Sequence, residues 1–476
     1  MLAKSFAFLI LLSFFSSPAA GQTFFFGADL SYVNEMEDCG AVYKENQAQK
    51  DPYQIFAAHH CNLVRLRLWH TPAWYDALNG GKRYSDLADV KKSIARAHAA
   101  GMQVLLDFHL SDNWADPSKQ RVPAAWLPVV NNLPVLKDSL YRYVSGALLE
   151  LAAANLLPEM VQIGNETNKG ILLSPQDDTN GWVLDWNRNS ALFNTAIQAV
   201  REVENQMGKT IKIGLHIAGP AEAGWLVKAF YDHGVTDFDI IGLSYYWAWH
   251  QPTTIANTGS IIASLRQKYP DKQVMIFETG YIWTTAANDA ANNTMNVTQP
   301  AYQPASPANQ QKWLVDLTQE VINKGGSGVI YWEPAWVSSP CWTQWGKGSH
   351  QENAAFFDFS NNLLIPGGIG FMDFPYTGLS VAPEPPAFAS LHVFPDTNRR
   401  GLQIQCAPVE PGKDLYVQVS DGAGKVVARQ TLASGGQGSI NSQIEMPAPV
   451  GAGIYFVRVW QEGGLAGLRK VWWGDK

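Results

Sequence analysis

From Phe24 to about Trp336, short apolar runs of the kind buried on both faces alternate with longer stretches of helical period. Runs near Phe24–Tyr32, Leu63–Trp69, Gln103–Leu110, Met160–Glu166, Ile211–Ile217, Ile240–Tyr246, Gln273–Tyr281 and Gly328–Trp336 read as strands. Leu87–Ala100, Val135–Ala154, Ala191–Met207 and Gln310–Lys324 read as helices between them. Ser85-Asp86 supplies an N-cap for the first of these helices, and Gly101 its stop. Eight such alternations predict an α/β fold, a (β/α)8 TIM barrel with some long βα loops. The structural alternative is an open doubly wound sheet, but no Gly-x-Gly-x-x-Gly follows the first strand.

Past Thr377 the pattern changes. Pro383-Glu384-Pro385-Pro386 marks a stiff linker over residues 379–389. From 390 to 476, β-type runs follow one another without helices: Gly401–Gln405, Leu415–Val419, Lys425–Gln430, Gly453–Trp460 and Leu468–Trp473. With the hairpin-type turn Asp421-Gly422-Ala423-Gly424, they predict a small C-terminal β-sandwich. At the other end, Lys4 precedes the apolar stretch Phe6–Phe15, too short to span a bilayer, and Pro18-Ala19-Ala20-Gly21 offers small residues for cleavage. Residues 1–21 are therefore expected to be a signal peptide, with the barrel at 22–378. No later run is long enough to be a transmembrane segment, so a secreted or cell-surface protein is expected.

Hydrophobic residues make up 46% and charged residues 16%, which suits a large packed core. The formal charge of −7 argues against a nucleic-acid partner, whose phosphates demand basic patches. The 18 Trp are unusual. Core packing is expected to account for more than half of the aromatics, and flat faces offered to sugar rings for others. Cys39 and Cys61 flank the first helical segment and are the expected disulfide pair, free buried thiols being the alternative. No Cys-x-x-Cys or His-x-x-x-His spacing suggests zinc.

In a (β/α)8 barrel the reactive groups gather at the carboxyl ends of the strands. Those ends carry Arg65, Arg67, Trp69 and His70; Asp107, His109, Asp112, Asn113 and Trp114; Asn165 and Glu166; His216; Tyr245, Tyr246, Trp247 and His250; Glu278; and Trp332, Glu333 and Trp336. One Glu at a strand end is more often a cap or a salt-bridge partner. Glu166 and Glu278, on strands facing each other across the mouth, form the pair a retaining glycosidase needs, one to protonate the leaving oxygen and one to attack the anomeric carbon. Arg67 is expected to keep the nucleophile ionised and Asn165 to bond the sugar 2-hydroxyl, with Arg65 a structural cation. His70, His216 and His250 read individually as loop or core residues, and Trp332 divides evenly between core packing and sugar platform.

Taken together, several motifs resemble glycoside hydrolase family 53, the endo-β-1,4-galactanases. They are Phe26-Gly27-Ala28-Asp29-Leu30-Ser31-Tyr32, Val64-Arg65-Leu66-Arg67-Leu68-Trp69, Asp107-Phe108-His109-Leu110-Ser111-Asp112-Asn113-Trp114, Gly164-Asn165-Glu166, Gly242-Leu243-Ser244-Tyr245-Tyr246, Glu278-Thr279-Gly280-Tyr281 and Tyr331-Trp332-Glu333-Pro334-Ala335-Trp336. The resemblance implies retaining cleavage of internal β-1,4-galactosidic bonds in type I arabinogalactan, with Glu166 as acid/base and Glu278 as nucleophile. It also implies a central subsite of Arg67, His109, Asn165, Tyr245 and Trp332, with Asp112 and Trp114 on neighbouring galactose units. No cofactor is required; a structural calcium, held by some relatives, would draw on Asp358 and Asn361. The shared carboxylate machinery leaves a mannanase or cellulase open as alternatives, and, from another class, a noncatalytic polysaccharide-binding protein. Val393-Phe394-Pro395-Asp396, Gly453-Ile454-Tyr455-Phe456-Val457-Arg458-Val459 and Lys470-Val471-Trp472 resemble a type IX secretion sorting domain, the competing reading being a carbohydrate-binding or spacer sandwich.

Overall fold

The computed structural model describes residues 24–179, 181, 183–379, 390–396, 401–407, 414–421, 426–433, 440–446, 451–461 and 466–473. The expected signal peptide, residues 380–389 of the linker and the Gly422-Ala423-Gly424 turn lie outside them. Two compact units result, Phe24–Leu379 and a second that follows Leu379.

The first unit is a (β/α)8 barrel. Its strands are β1 (Phe25–Asp29), β2 (Leu63–Leu68), β3 (Gln103–Phe108), β4 (Met160–Ile163), β5 (Lys212–Ala218), β6 (Ile240–Tyr245), β7 (Gln273–Thr279) and β8 (Gly328–Tyr331). Each pairs in parallel with the next, and β8 closes on β1. The helices Pro52–Ala58, Leu87–Ala99, Leu133–Ala153, Trp186–Met207, Pro220–Asp232, Ile255–Lys268 and Pro307–Asn323 follow β1 to β7 in turn. Six begin on a side chain that accepts a first-turn N–H: Asp51, Asp86, Asn132, Asp185, Thr254 and Ser306. Among the described residues no α-helix follows β8. A 3-10 turn at Gly368–Phe371 packs instead against Pro307–Asn323.

Both faces of the barrel strands are buried, which is why they read as continuous apolar runs. The lower interior is filled by Phe25, Leu63, Leu105, Met160, Ile240, Met275, Phe277 and Ile330. Above them lies a polar layer that includes Asp29, Arg65, Asp107, Gln162 and His216, each at most 1% exposed. β7 carries a bulge. Leu243 pairs with Ile276 but Ser244 with Glu278, and on the other side Val329 pairs with Ile276 but Tyr331 with Thr279. The extra residue lets consecutive side chains, Phe277 and Glu278, both face inward. Gly214 and Gly242 make room for Phe277; a Cβ on either would lie 2.6 or 2.1 Å from its ring.

Among the described residues of the second unit, seven antiparallel strands form two sheets. β9 (Ser390–Asp396), β10 (Gly401–Ala407) and β13 (Ile440–Glu445) form one; β12 (Val426–Leu432), β11 (Leu415–Asp421), β14 (Gly453–Gln461) and β15 (Ala466–Trp473) form the other. Their shared core includes Leu402, Ile404, Val417, Val419, Val457 and Val459. The expected Cys39–Cys61 pairing is corrected: Cys39 bonds Cys341, 302 positions away, with 5.6 Å between Cα atoms. Barrel closure brings the β1 and β8 loops together, whereas the buried Cys61 thiol donates to the Leu63 carbonyl.

Candidate active site

β4 ends at Ile163, and the chain turns through Gly164 and Glu166, both in the left-handed region (φ 73° and 46°). A Cβ on Gly164 would lie 2.6 Å from Thr167 Cγ2. Such a backbone is costly for a Glu, and the surroundings enforce it. Gln120 Nε2 donates to the Asn165 and Glu166 carbonyls (2.7 and 3.1 Å), and Thr167 N to the His216 carbonyl (2.9 Å). The turn sends Asn165 down into the polar layer and Glu166 up into a cavity of about 410 Å3.

That cavity is built from five strand ends. The β3 loop brings Trp114, Asp116 and Lys119; β4 brings Asn165 and Glu166; β6 brings Tyr246 and Trp249. Glu278 stands near the end of β7 and Asn292 and Thr294 follow it, and Trp332, Trp336, Trp345 and His350 follow β8. Trp249 and Trp345 are half-exposed at its rim.

Glu278 is held from two sides. Its Oε1 lies 2.8 Å from Arg65 Nη1, and its Oε2 accepts from the Tyr246 hydroxyl at 3.0 Å. Arg65 is fully engaged: Nη1 also meets Asp29 (2.8 Å), Nη2 meets Asp107 (2.9 Å) and donates to Asn165 Oδ1 (2.8 Å), and Nε donates to Gln162 (3.0 Å). Arg67, expected on the nucleophile, instead pairs with Glu333 at 3.0 Å. It is caged by the rings of Tyr32, Trp69 and Trp114, 4.9, 4.4 and 4.1 Å from its Cζ. The cation on Glu278 is thus Arg65, the residue read from sequence as structural.

Other expected site residues divide. Trp114 and Trp332 line the cavity, their ring centroids 6.0 Å apart, and Asn165 lies at its floor. His109 sits below, its Nδ1 2.7 Å from Asp107 Oδ2 and its Nε2 unpartnered. Asp112 braces loops, accepting from the backbone of Thr71 and Ala124 (2.9 and 2.8 Å). Tyr245 points out of the barrel, donating to the Thr253 carbonyl and stacking on Trp313. Its neighbour Tyr246 is the one that reaches the cavity, because successive strand residues face opposite ways. Asp358, expected to offer oxygen to calcium, already accepts the Ser360 and Asn362 N–H groups (2.8 and 2.9 Å).

Burial raises the pKa of Glu166, and the charge of Glu278 raises it further. Burial also raises Glu278, but Arg65 in direct contact and the Tyr246 hydroxyl pull it back. Among the described residues Glu166 makes no ion pair, so of the two it is the one that keeps its proton. Burial holds His109 and His216 below the usual imidazole range, His216 strongly, and both are neutral. One carboxylic acid and one carboxylate therefore face a single cavity walled by indoles. The arrangement can donate a proton and deliver a nucleophile to one bond.

The family model described as Glycosyl hydrolase family 53 matches residues 25–366. An arabinogalactan endo-β-1,4-galactanase of Cellvibrio japonicus is 46% identical over 361 residues, covering 75% of this chain and 93% of the relative. An endo-β-1,4-galactanase of Bacillus subtilis is 34% identical, covering 71% and 78%. Among solved structures, the GH53 catalytic domain of Ignisphaera aggregans is 32% identical with a TM-score of 0.66, covering 76% of this chain and 98% of that one.

Proposed function

The chain belongs to glycosyl hydrolase family 53, and from that premise we propose that it is an endo-β-1,4-galactanase cutting internal bonds of type I arabinogalactan by double displacement. Glu166 passes its proton to the glycosidic oxygen while a Glu278 oxygen attacks the anomeric carbon and the aglycone departs. The Glu166 carboxylate then takes a proton from water, whose oxygen displaces Glu278 from the same carbon. Two inversions retain the configuration. No step calls for a cofactor.

The observation that carries this reading is the asymmetry of the two carboxyls: Glu278 has a cation and a phenol on its oxygens, and Glu166 has no ion pair among the described residues. Asn165, Trp114 and Trp332 then bind sugar directly. His109 Nε2 and Trp114 Nε1, buried without protein partners, supply hydrogen-bond groups near the floor. Arg67, Asp112 and Tyr245 act as supports. Incubation with β-1,4-galactan, β-mannan and cellulose, followed by reducing-end assay and product sizing, tests the proposal. Galactan alone should yield internal fragments. Hydrolysis confined to mannan or cellulose, or binding to galactan without hydrolysis, would refute it.

The same reading extends to location. Residues 1–21 serve as an export leader, and the module from 390 as a sorting domain, giving a secreted or surface enzyme. No helix among the described residues is long and apolar enough to cross a membrane. Fractionation of the native host with an antibody to the barrel tests this, the enzyme being expected outside the cytoplasm.

A further inference from the structure

The chain after β8 forms a small hairpin. Trp342–Thr343 pairs antiparallel with Gly346–Lys347, which leaves Gln344 and Trp345 as a two-residue turn. This hairpin is tied to three other strand ends in succession. Cys341, just before it, is bonded to Cys39 after β1. The Trp342 backbone exchanges two hydrogen bonds with the Asn79 side chain after β2, its N–H donating to Oδ1 and its carbonyl accepting from Nδ2, each at 2.8 Å. At the turn, Gln344 meets Asn113 of the β3 loop through two amide hydrogen bonds. Asn113 Nδ2 donates to Gln344 Oε1 at 2.8 Å, and Gln344 Nε2 donates to Asn113 Oδ1 at 2.7 Å. The hairpin therefore reaches from β8 past β1 and β2 to the β3 loop.

The Asn113 amide has only one orientation here. Its Oδ1 also accepts the Trp114 N–H at 2.7 Å, and a backbone N–H only donates, so Nδ2 is the group left for the Gln344 oxygen. The clasp thus joins the residue before Trp114 to the residue before Trp345. Both indoles line the catalytic cavity, whereas neither amide is among its described lining residues. Trp114 is fixed to the barrel, 4.1 Å from Arg67 Cζ and 5.2 Å from the Trp69 ring. Trp345 is half-exposed at the tip of the turn, and its centroid stands 6.3 Å from that of Trp114 with the planes at 34°. A pyranose keeps about 3.5–4.0 Å from each face it touches, so a slot between two rings would need about 7–8 Å. The two rings make one wall, not a slot.

We propose that Asn113 and Gln344 are positioning residues whose amide clasp sets Trp345 against Trp114, and so governs how firmly the enzyme grips the galactan chain beyond the bond it cuts. The inference rests on the galactanase reading given above. The base of the hairpin is held by Cys39 and Asn79, but the turn itself is held sideways by the clasp. With the clasp open, Trp345 moves with the turn and the wall loses part of its area. Sugar units on that wall are not the ones reacting, so the loss falls equally on bound substrate and transition state. KM then rises while kcat stays.

The test is galactan kinetics for wild type, Asn113→Ala, Gln344→Ala and the double variant. Either single substitution opens the whole clasp and should raise KM about three- to tenfold with kcat unchanged. The double variant should be no worse than either single, because the clasp is already open once one side is gone. A readout independent of turnover is the exciton signal of the indole pair in circular dichroism, identified as the part that Trp345→Phe removes. It should diminish in all three clasp variants. An unchanged KM, KM increases that multiply in the double variant, or an exciton signal left intact overturns the proposal; multiplying effects would mean that each amide meets sugar by itself. Wild-type activity on galactan is measured first. Its absence would remove the galactanase reading, and the exciton signal would still decide the clasp.

Discussion

Replacing Arg65 by methionine keeps most of the apolar stem and removes the cation from the centre of the barrel. Asp29, Asp107 and Glu278 then share a buried space without a counter-charge, having each been within 2.9 Å of the guanidinium. Breaking a buried ion pair by deleting one partner costs roughly 3–5 kcal/mol. The Asn165 and Gln162 oxygens also lose a donor, a deficit of about 1–3 kcal/mol each that overlaps the first figure. A loss of about 4–5 kcal/mol is therefore expected, against a total stability of roughly 5–15 kcal/mol for a native protein. The pH dependence has a definite sign. Without Arg65 the buried Asp107 and Glu278 lose the cation that lowers their pKa while burial still raises it, so the folded state binds more protons and stability falls as pH rises. The deficit should be small near pH 4 and complete by neutral pH. Urea unfolding followed by tryptophan fluorescence at several pH values measures it, and the acid limb of kcat/KM should move up as Glu278 loses the group that holds its charge. A deficit under about 1 kcal/mol at pH 7, or one that grows towards acid, would refute the assignment of Arg65 as their shared counter-ion.

Further outcomes follow from the same geometry. Glu278→Ala should lower kcat on galactan by on the order of 10⁴-fold or more, while binding of galacto-oligosaccharides by calorimetry stays near that of wild type. Tyr246→Phe removes one neutral donor from Glu278 Oε2 and should cost about tenfold in kcat, with the acid limb displaced upward and KM little changed. Cys39→Ser opens the link to Cys341 and should lower stability by about 2–5 kcal/mol, read as a fall in Tm that dithiothreitol reproduces in the wild type.

The barrel could be read from sequence because each of its strands is a compact apolar run and most outer helices start on a capping side chain. What the runs conceal is direction. In a strand buried on both faces, alternation does not say which neighbour points inward, so Tyr245 was expected where Tyr246 stands. Arg65 and Arg67 both face inward on β2, and only the third dimension shows which of them Glu278 meets and which Glu333 meets. Two helices, Pro220–Asp232 and Ile255–Lys268, went unnamed, although Pro220 at the first position and the Thr254 capping box were available signals. Trp345 and His350 sit on loops and Trp249 on the one-turn helix Trp247–His250, where no periodicity ties a residue to a cavity. Cys341 finds Cys39 only because the first and last strands are neighbours in a closed sheet.

The bulge in β7 makes the hydrophobic floor and the nucleophile adjacent links of one peptide. Phe277 cannot be pushed aside without pulling on Glu278, and the space Phe277 occupies exists because two neighbouring strands carry no side chain at Gly214 and Gly242. Positions that never meet a sugar therefore help aim the attacking oxygen. Over generations, drift in the bulk of those two sites would surface first as a slower enzyme and only later as a weaker fold.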